Sequence, residues 1–174
     1  MLVRTAHHTL LFDTAARSRG GFDLGDAVVV PALRALGVSR IDRLVVSHGD
    51  VDHAGGLGAV HAAFPEAPLQ SGEPGRSGGV ACQAGEGWRW DDVDFAWLHP
   101  PEHFPELGNE SSCVLRIAGR GGVTLLPGDI GSVIEQRLLR EQGGAFRAEL
   151  LVVPHHGSRS SSSPAFVEAV APRW

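Results

Sequence analysis

Arg43-Leu44-Val45-Val46-Ser47-His48-Gly49-Asp50-Val51-Asp52-His53 is the stretch that decides the fold. Its first half is a short apolar run with β-branched residues, the pattern of a buried strand. Its second half packs two imidazoles and two carboxylates into six residues, and Ala54-Gly55-Gly56 then opens a turn toward a helix. A loop of solvated charges has no need of four such groups so close together. Imidazole with carboxylate suits zinc, manganese or iron better than calcium or magnesium alone. Asp52 and His53 are adjacent and their side chains diverge, so one loop could serve two neighbouring ions.

The pattern recurs along the chain. Asp13 follows Leu10-Leu11-Phe12, His99 follows Phe95-Ala96-Trp97-Leu98, Asp129 follows Thr124-Leu125-Leu126-Pro127-Gly128, and His155-His156 follow Leu150-Leu151-Val152-Val153-Pro154. An apolar strand ending in Asp or His, repeated, is the form of a site built at one edge of packed sheets.

Between these points the elements alternate. Strands are expected at Thr9–Phe12, Leu44–Ser47, Val93–Leu98 and Leu150–Val153, with a hairpin pairing Ser112–Ile117 and Val123–Leu126 around Gly119-Arg120-Gly121-Gly122. Helices are expected at Asp26–Leu36, where Pro31 puts the first half in question, and at Gly56–Phe64 and Ile130–Glu141. A last helix is expected at Pro164–Val170, with Ser163 as N-cap and Pro164 at the first helical position. Residues 71–89, rich in Gly, Ser, Pro and Arg, read as irregular. No repeat or linker divides the chain, so it reads as one α/β (α+β) domain over 1–174.

The 174 residues suffice for a substantial core, and 43% of them are hydrophobic against 20% charged. The net charge is −5 and all 15 basic residues are arginine, so there is no global basic footprint and nucleic acid would have to be held locally. No stretch has the length of a membrane span or the form of a signal peptide, so the chain taken alone reads as soluble. Cys82 and Cys113 lack Cys-x-x-Cys spacing and read as ordinary buried thiols. No Gly-x-Ser-x-Gly elbow or P-loop offers a competing chemistry. No sequence feature sets an oligomeric state.

Ser47–Gly56 resembles the metallo-β-lactamase signature H-x-H-x-D-H, with Asp50 in place of the second histidine. That variant, with Leu126-Pro127-Gly128-Asp129-Ile130, Val153-Pro154-His155-His156-Gly157-Ser158, His99-Pro100-Pro101 and Asn109-Glu110-Ser111-Ser112-Cys113, resembles the C-terminal domain of the ComEC family of DNA-internalisation competence proteins. The resemblance implies a metallo-β-lactamase αββα sandwich with metals at the sheet edges. It also implies a place in a polytopic bacterial membrane protein that takes up single-stranded DNA. There the domain is the proposed nuclease for the non-transported strand. The family's opening Asp-Val-Gly-Gln-Gly strand and its closing Gly-His-Pro segment have no counterpart, so the chain is expected to be truncated at both ends.

The resemblance also implies roles. His48 and Asp50 fall to a first metal site, Asp52 and His53 to a second, Asp129 to the bridging carboxylate and His156 to the last ligand. Asp129 could instead be a turn residue or the N-cap of the helix that follows. His155 could ligate or meet a phosphate. A third ligand of the first site is open: His103 is a candidate, while His99 is better read as a buried strand-end histidine and Asn109 as positioning substrate or water. Asp13 is expected to steady a ligand histidine or loop amides. His7, His8 and His61 read as structural, and Trp88, Trp90 and Trp97 as core or rim packing rather than base-stacking platforms.

Gly157–Ser163, with Ser158 and Arg159, reads either as a phosphate-facing helix start or as a polar turn. The expectation is a two-metal hydrolase, with Asp52, His53 and Asp129 at the catalytic ions and metal-activated water attacking a phosphodiester. Asp50 hardens the first site and tilts it from zinc toward manganese. A small-ester hydrolase and an inactive module that guides DNA toward a channel domain are the competing readings.

Overall fold

A computed structural model describes residues 1–143 and 146–174 in full. The described residues form two compact units, Met1–Ala81 and Cys82–Trp174, each built on a five-stranded sheet.

In the first unit, β1 (Leu2–Arg4) pairs antiparallel with β2 (Thr9–Phe12), and β2, β3 (Arg43–Val46), β4 (Leu69–Ser71) and β5 (Val80–Ala81) continue in parallel. Parallel pairing requires crossovers. The β2–β3 crossover carries a wide π-helical turn, Gly25–Val29, running directly into α1 (Val30–Ala35). Pro31 falls just past the junction of the π-helical turn and α1, and the doubtful first half of the expected helix is helical after all. The β3–β4 crossover carries α2 (Val51–Ala54) and α3 (Leu57–Ala63). Leu11 and Leu44 meet Val30, Leu33, Val60 and Phe64 in one core. Leu10 and Val45 on the opposite sheet face are also fully buried, which is why β3 reads as an unbroken apolar run.

The second unit is mainly antiparallel: β6 (Gly87–Trp90), β7 (Val93–His99), β8 (Val114–Gly119) and β9 (Gly122–Leu126) pair in sequence, and β10 (Leu150–Leu151) adds in parallel to β9. The hairpin and its Gly-rich turn are where the sequence puts them. α5 (Ser132–Gln142) and α6 (Pro164–Val170) cover the sheet, packing Ile134, Leu138, Phe166 and Val170 on Leu98, Val114 and Leu125. Trp97 is buried, and Trp88 stacks on Phe95 at 4.9 Å with Trp90 against its edge.

Three expectations are corrected. Residues 71–89 are not irregular: they hold α4 (Pro74–Ser77), β5 and β6. The strand at Leu150–Val153 covers only Leu150–Leu151, and Leu150 is exposed. Cys82 and Cys113 are not free thiols but a disulfide with Cα atoms 5.8 Å apart. After β5 the chain lies along the end of β7, with Ala84 N–H on the Pro100 carbonyl and Gly85 N–H on that of Trp97. That places Cys82 beside the start of β8, a proximity with no signal in a spacing of 31 residues.

Candidate metal centre

In the first unit every functional side chain issues from the carboxyl end of the parallel strands, where open α/β sheets bind ligands. Asp13 ends β2, the His48–His53 loop ends β3, and Glu73 with Arg76 follows β4. Asp13 sits in the left-handed backbone region (φ 62°). Its Oδ1 accepts the Ser47 N–H at 2.7 Å, and its Oδ2 lies 2.8 Å from His53 Nδ1 and 3.0 Å from Ser47 Oγ. The carboxylate holds the proton of His53 on Nδ1 and leaves the Nε2 lone pair for another partner. His53 Nε2 lies 3.7 Å from Asp52 Oδ2.

His48 is buried, and its Nε2 lies 3.6 Å from Asp50 Oδ2. Asp50 Oδ1 accepts Nη2 of Arg76 at 3.0 Å. The guanidinium's other arm reaches Glu73, a fully buried carboxylate that also accepts the Gly49 N–H. The hydrogen bond to Asp50, with the charge of Glu73, raises the Arg76 pKa against partial desolvation. Glu73 and Arg76 are not among the site residues expected from the sequence. The signal was a helix start, Pro74 at the first helical position, with acid and base three residues apart across it.

In the second unit Asp129 is buried beyond β9, held by its own N–H on Ser112 Oγ at 3.0 Å. It is not an N-cap, since α5 is capped by Gly131. Its Oδ2 lies 3.4 Å from His156 Nε2. His155 and His156 both take left-handed backbone conformations (φ 48° and 52°), a strain of about 1–2 kcal/mol per residue. Such strain, in residues bearing imidazoles after a strand, is the kind stored at functional sites.

His155 turns away from this pair. Its Nε2 accepts Asn109 Nδ2 at 3.0 Å, so Nδ1 carries the proton toward Ser160 Oγ at 3.2 Å. Both ring nitrogens are engaged with the protein. Asn109 thus positions His155. His103 stands 91% exposed beside Glu102. His99 is buried with Nε2 on the Glu110 carbonyl at 2.8 Å, and burial pushes its pKa down to about 4.

The last two amides before α6 are taken within the protein. The buried Glu135 carboxylate of α5 accepts the N–H groups of Ser162 and Ser163, the latter at 2.9 Å. A protein carboxylate already fills the place a phosphate was expected to take. Ser158 Oγ lies 3.0 Å from Ser160 Oγ, and Arg159 is exposed with no ion pair among the described residues.

Each unit therefore offers a carboxylate–imidazole pair, Asp52–His53 and Asp129–His156. A tetrahedral ion with ligands at about 2.1 Å has neighbouring donors about 3.4 Å apart, so both pairs have the separation a shared ion requires.

A family model described as "Metallo-beta-lactamase superfamily" matches residues 1–173. The chain belongs to the metallo-beta-lactamase superfamily. Its two-sheet α/β fold agrees: a metallo-beta-lactamase of Cronobacter sakazakii, a motif mutant, superposes with a TM-score of 0.65 at 16% identity, over 87% of this chain and 69% of that one. Along its whole length this superfamily domain is 41% identical to Competence protein ComA of Neisseria gonorrhoeae. Over 94% of its length it is 31% identical to Recombination protein 2 of Haemophilus influenzae. It spans 24% and 20% of those two proteins.

Proposed function

We propose that this domain is a metal-dependent phosphodiesterase that cleaves the non-transported strand during DNA uptake. The observation that carries the reading is the Asp13–His53–Asp52 arrangement, in which one carboxylate fixes a histidine tautomer and a second stands beside the freed nitrogen. Superfamily membership supports uniting Asp52 and His53 with Asp129 and His156 around a divalent ion, manganese or zinc. Such an ion supplies Lewis acidity and makes water a nucleophile near neutral pH. The protein's part is to hold it with two carboxylates and two imidazoles, to keep His53 oriented through Asp13, and to keep His156 in place through the strained turn.

Similarity to proteins named for competence and recombination supports single-stranded DNA as the substrate. The larger size of those relatives supports a place beside the channel domain of a longer membrane protein. No helix among the described residues is long and apolar enough to cross a membrane. The Cys82–Cys113 bridge supports the oxidising face of that membrane, since such bonds are rare in reducing compartments.

The test is cleavage of end-labelled single-stranded DNA with manganese, with zinc and with chelator. Metal-dependent cleavage, lost in Asp52→Ala, is the expected result. Turnover of small esters alone would replace the reading with a small-substrate hydrolase. DNA retention without turnover would replace it with a guiding module.

A further inference from the structure

His48 and Asp50 make a third carboxylate–imidazole pair. Asp50 Oδ2 lies 3.6 Å from His48 Nε2, close to the separation of neighbouring donors on one ion. The superfamily pattern assigns these two positions to a first ion, but with histidine at 50. Aspartate is shorter, and its two oxygens are equivalent, so nothing in the residue itself selects which oxygen faces His48. A ligating carboxylate is aimed by what hydrogen-bonds its other oxygen.

Here that partner is Arg76. Its Nη2 donates to Asp50 Oδ1 at 3.0 Å, and Oδ2 is the oxygen turned to His48. Both ends of that ion pair are half-exposed, and an isolated exposed pair fixes little. This guanidinium is not isolated. Nη1 donates at 2.7 Å to Oε2 of Glu73, a fully buried residue. The same oxygen accepts the Gly49 N–H at 2.7 Å. A Cβ on Gly49 would stand 2.9 Å from the Arg76 Cβ and Nε, so the arginine stem lies directly across the loop. The corner after β4 thus fixes the backbone between the two ligands through Glu73, and the second ligand's side chain through Arg76. The two charges of the corner cancel, so it supplies direction without adding net charge beside an ion.

We propose that Arg76, anchored on Glu73, is the positioning residue of the first ion site, holding Asp50 Oδ2 toward His48. It does for this carboxylate what Asp13 does for the His53 ring, acting through another side chain in both cases. The inference rests on the metal-binding part of the function proposed above, extended to a second ion, and not on turnover.

The test separates the two ions. Wild-type chain, Asp50→Ala, Asp52→Ala and Glu73→Gln/Arg76→Met are titrated with manganese and with zinc by calorimetry. Bound ions are counted by native mass spectrometry, and metal-free melting is followed by circular dichroism. The double change keeps the net charge, keeps an acceptor for the Gly49 N–H, and leaves no buried carboxylate without its counter-charge. The expected result is two ions in wild type, one in Asp50→Ala, and two in the double variant. In the double variant the ion that Asp50→Ala loses should be weakened by about 10–100-fold, with the other unchanged. Arg76→Lys keeps the charge but replaces the two-armed fork with one ammonium. It is expected to weaken the same ion alone, and it decides the matter if the double variant does not fold. A shifted melt with both affinities unchanged would overturn the inference, because a merely structural corner does that. So would equal weakening of both ions, or an ion count that Asp50→Ala leaves unchanged. In those cases an ion lost in Asp52→Ala leaves the proposed metal-dependent function standing. No ion in the wild-type chain would remove both.

Discussion

The Asp13 carboxylate holds His53 Nδ1 at 2.8 Å and the Ser47 backbone N–H at 2.7 Å, so one residue at the end of β2 sets both the ring and the loop at the end of β3. Carboxylates behind ligand histidines are typically worth about 10–100-fold in metal affinity. Asp13→Ala is expected to weaken manganese and zinc binding by that factor, with Asp13→Asn intermediate because it keeps one acceptor. Isothermal titration with each metal measures it; unchanged affinity would show that His53 is not a ligand.

The disulfide closes a loop between residues separated by 31 positions. Closing about 30 residues removes roughly 3–4 kcal/mol of unfolded-chain entropy. Cys82→Ala/Cys113→Ala, or reduction of the wild-type chain, is expected to lower unfolding free energy by about that amount, read as a lower urea midpoint.

His99 gives the fold a pH dependence of definite sign. Its folded pKa is lowered from 6.5 to about 4 by burial, so between those values the unfolded chain binds a proton that the folded chain refuses. Stability therefore falls as pH drops from 6.5 toward 4, by up to about 3 kcal/mol from this group alone. Urea melts at pH 7, 5.5 and 4.5 test this. In His99→Gln, which keeps a donor for the Glu110 carbonyl, the loss across that window should shrink.

Glu135 has already taken the amides of Ser162 and Ser163, and the exposed Arg159 side chain is the charged group this loop offers a phosphate. Arg159→Ala is expected to weaken single-stranded DNA binding equally for all sequences and to reduce the salt slope by about one unit or less. A change that depends on base sequence would contradict a phosphate contact.

Much of this was legible in the sequence because it is periodic or local. Apolar runs gave β2, β3, β7 and the β8–β9 hairpin, and Ser163-Pro164 gave the start of α6. The ligand loop could be read because four ligating groups in six residues have no cheap structural explanation. What escaped depended on distant placement. The disulfide joins segments that meet only through the sheet, and Glu135 fills the loop before α6 from a helix some 27 residues earlier. Arg76 was lost because 71–89 has the composition of a loop while its short elements are fixed by contacts rather than by periodicity. The roles of His103 and His155 could not be told from spacing, since the direction a ring faces is decided by neighbours such as Asn109 and Ser160.

Gly49 carries a consequence for comparing sequences. A Cβ at position 49 would come within 2.9 Å of the Arg76 side chain, so a larger residue at 49 requires Arg76 to move or to be replaced. Chains with glycine between the first histidine and the acidic residue can keep this arginine in its pose. Chains with a bulkier residue there must have moved or lost it. A residue larger than glycine at 49 is therefore expected only where position 76 has changed as well.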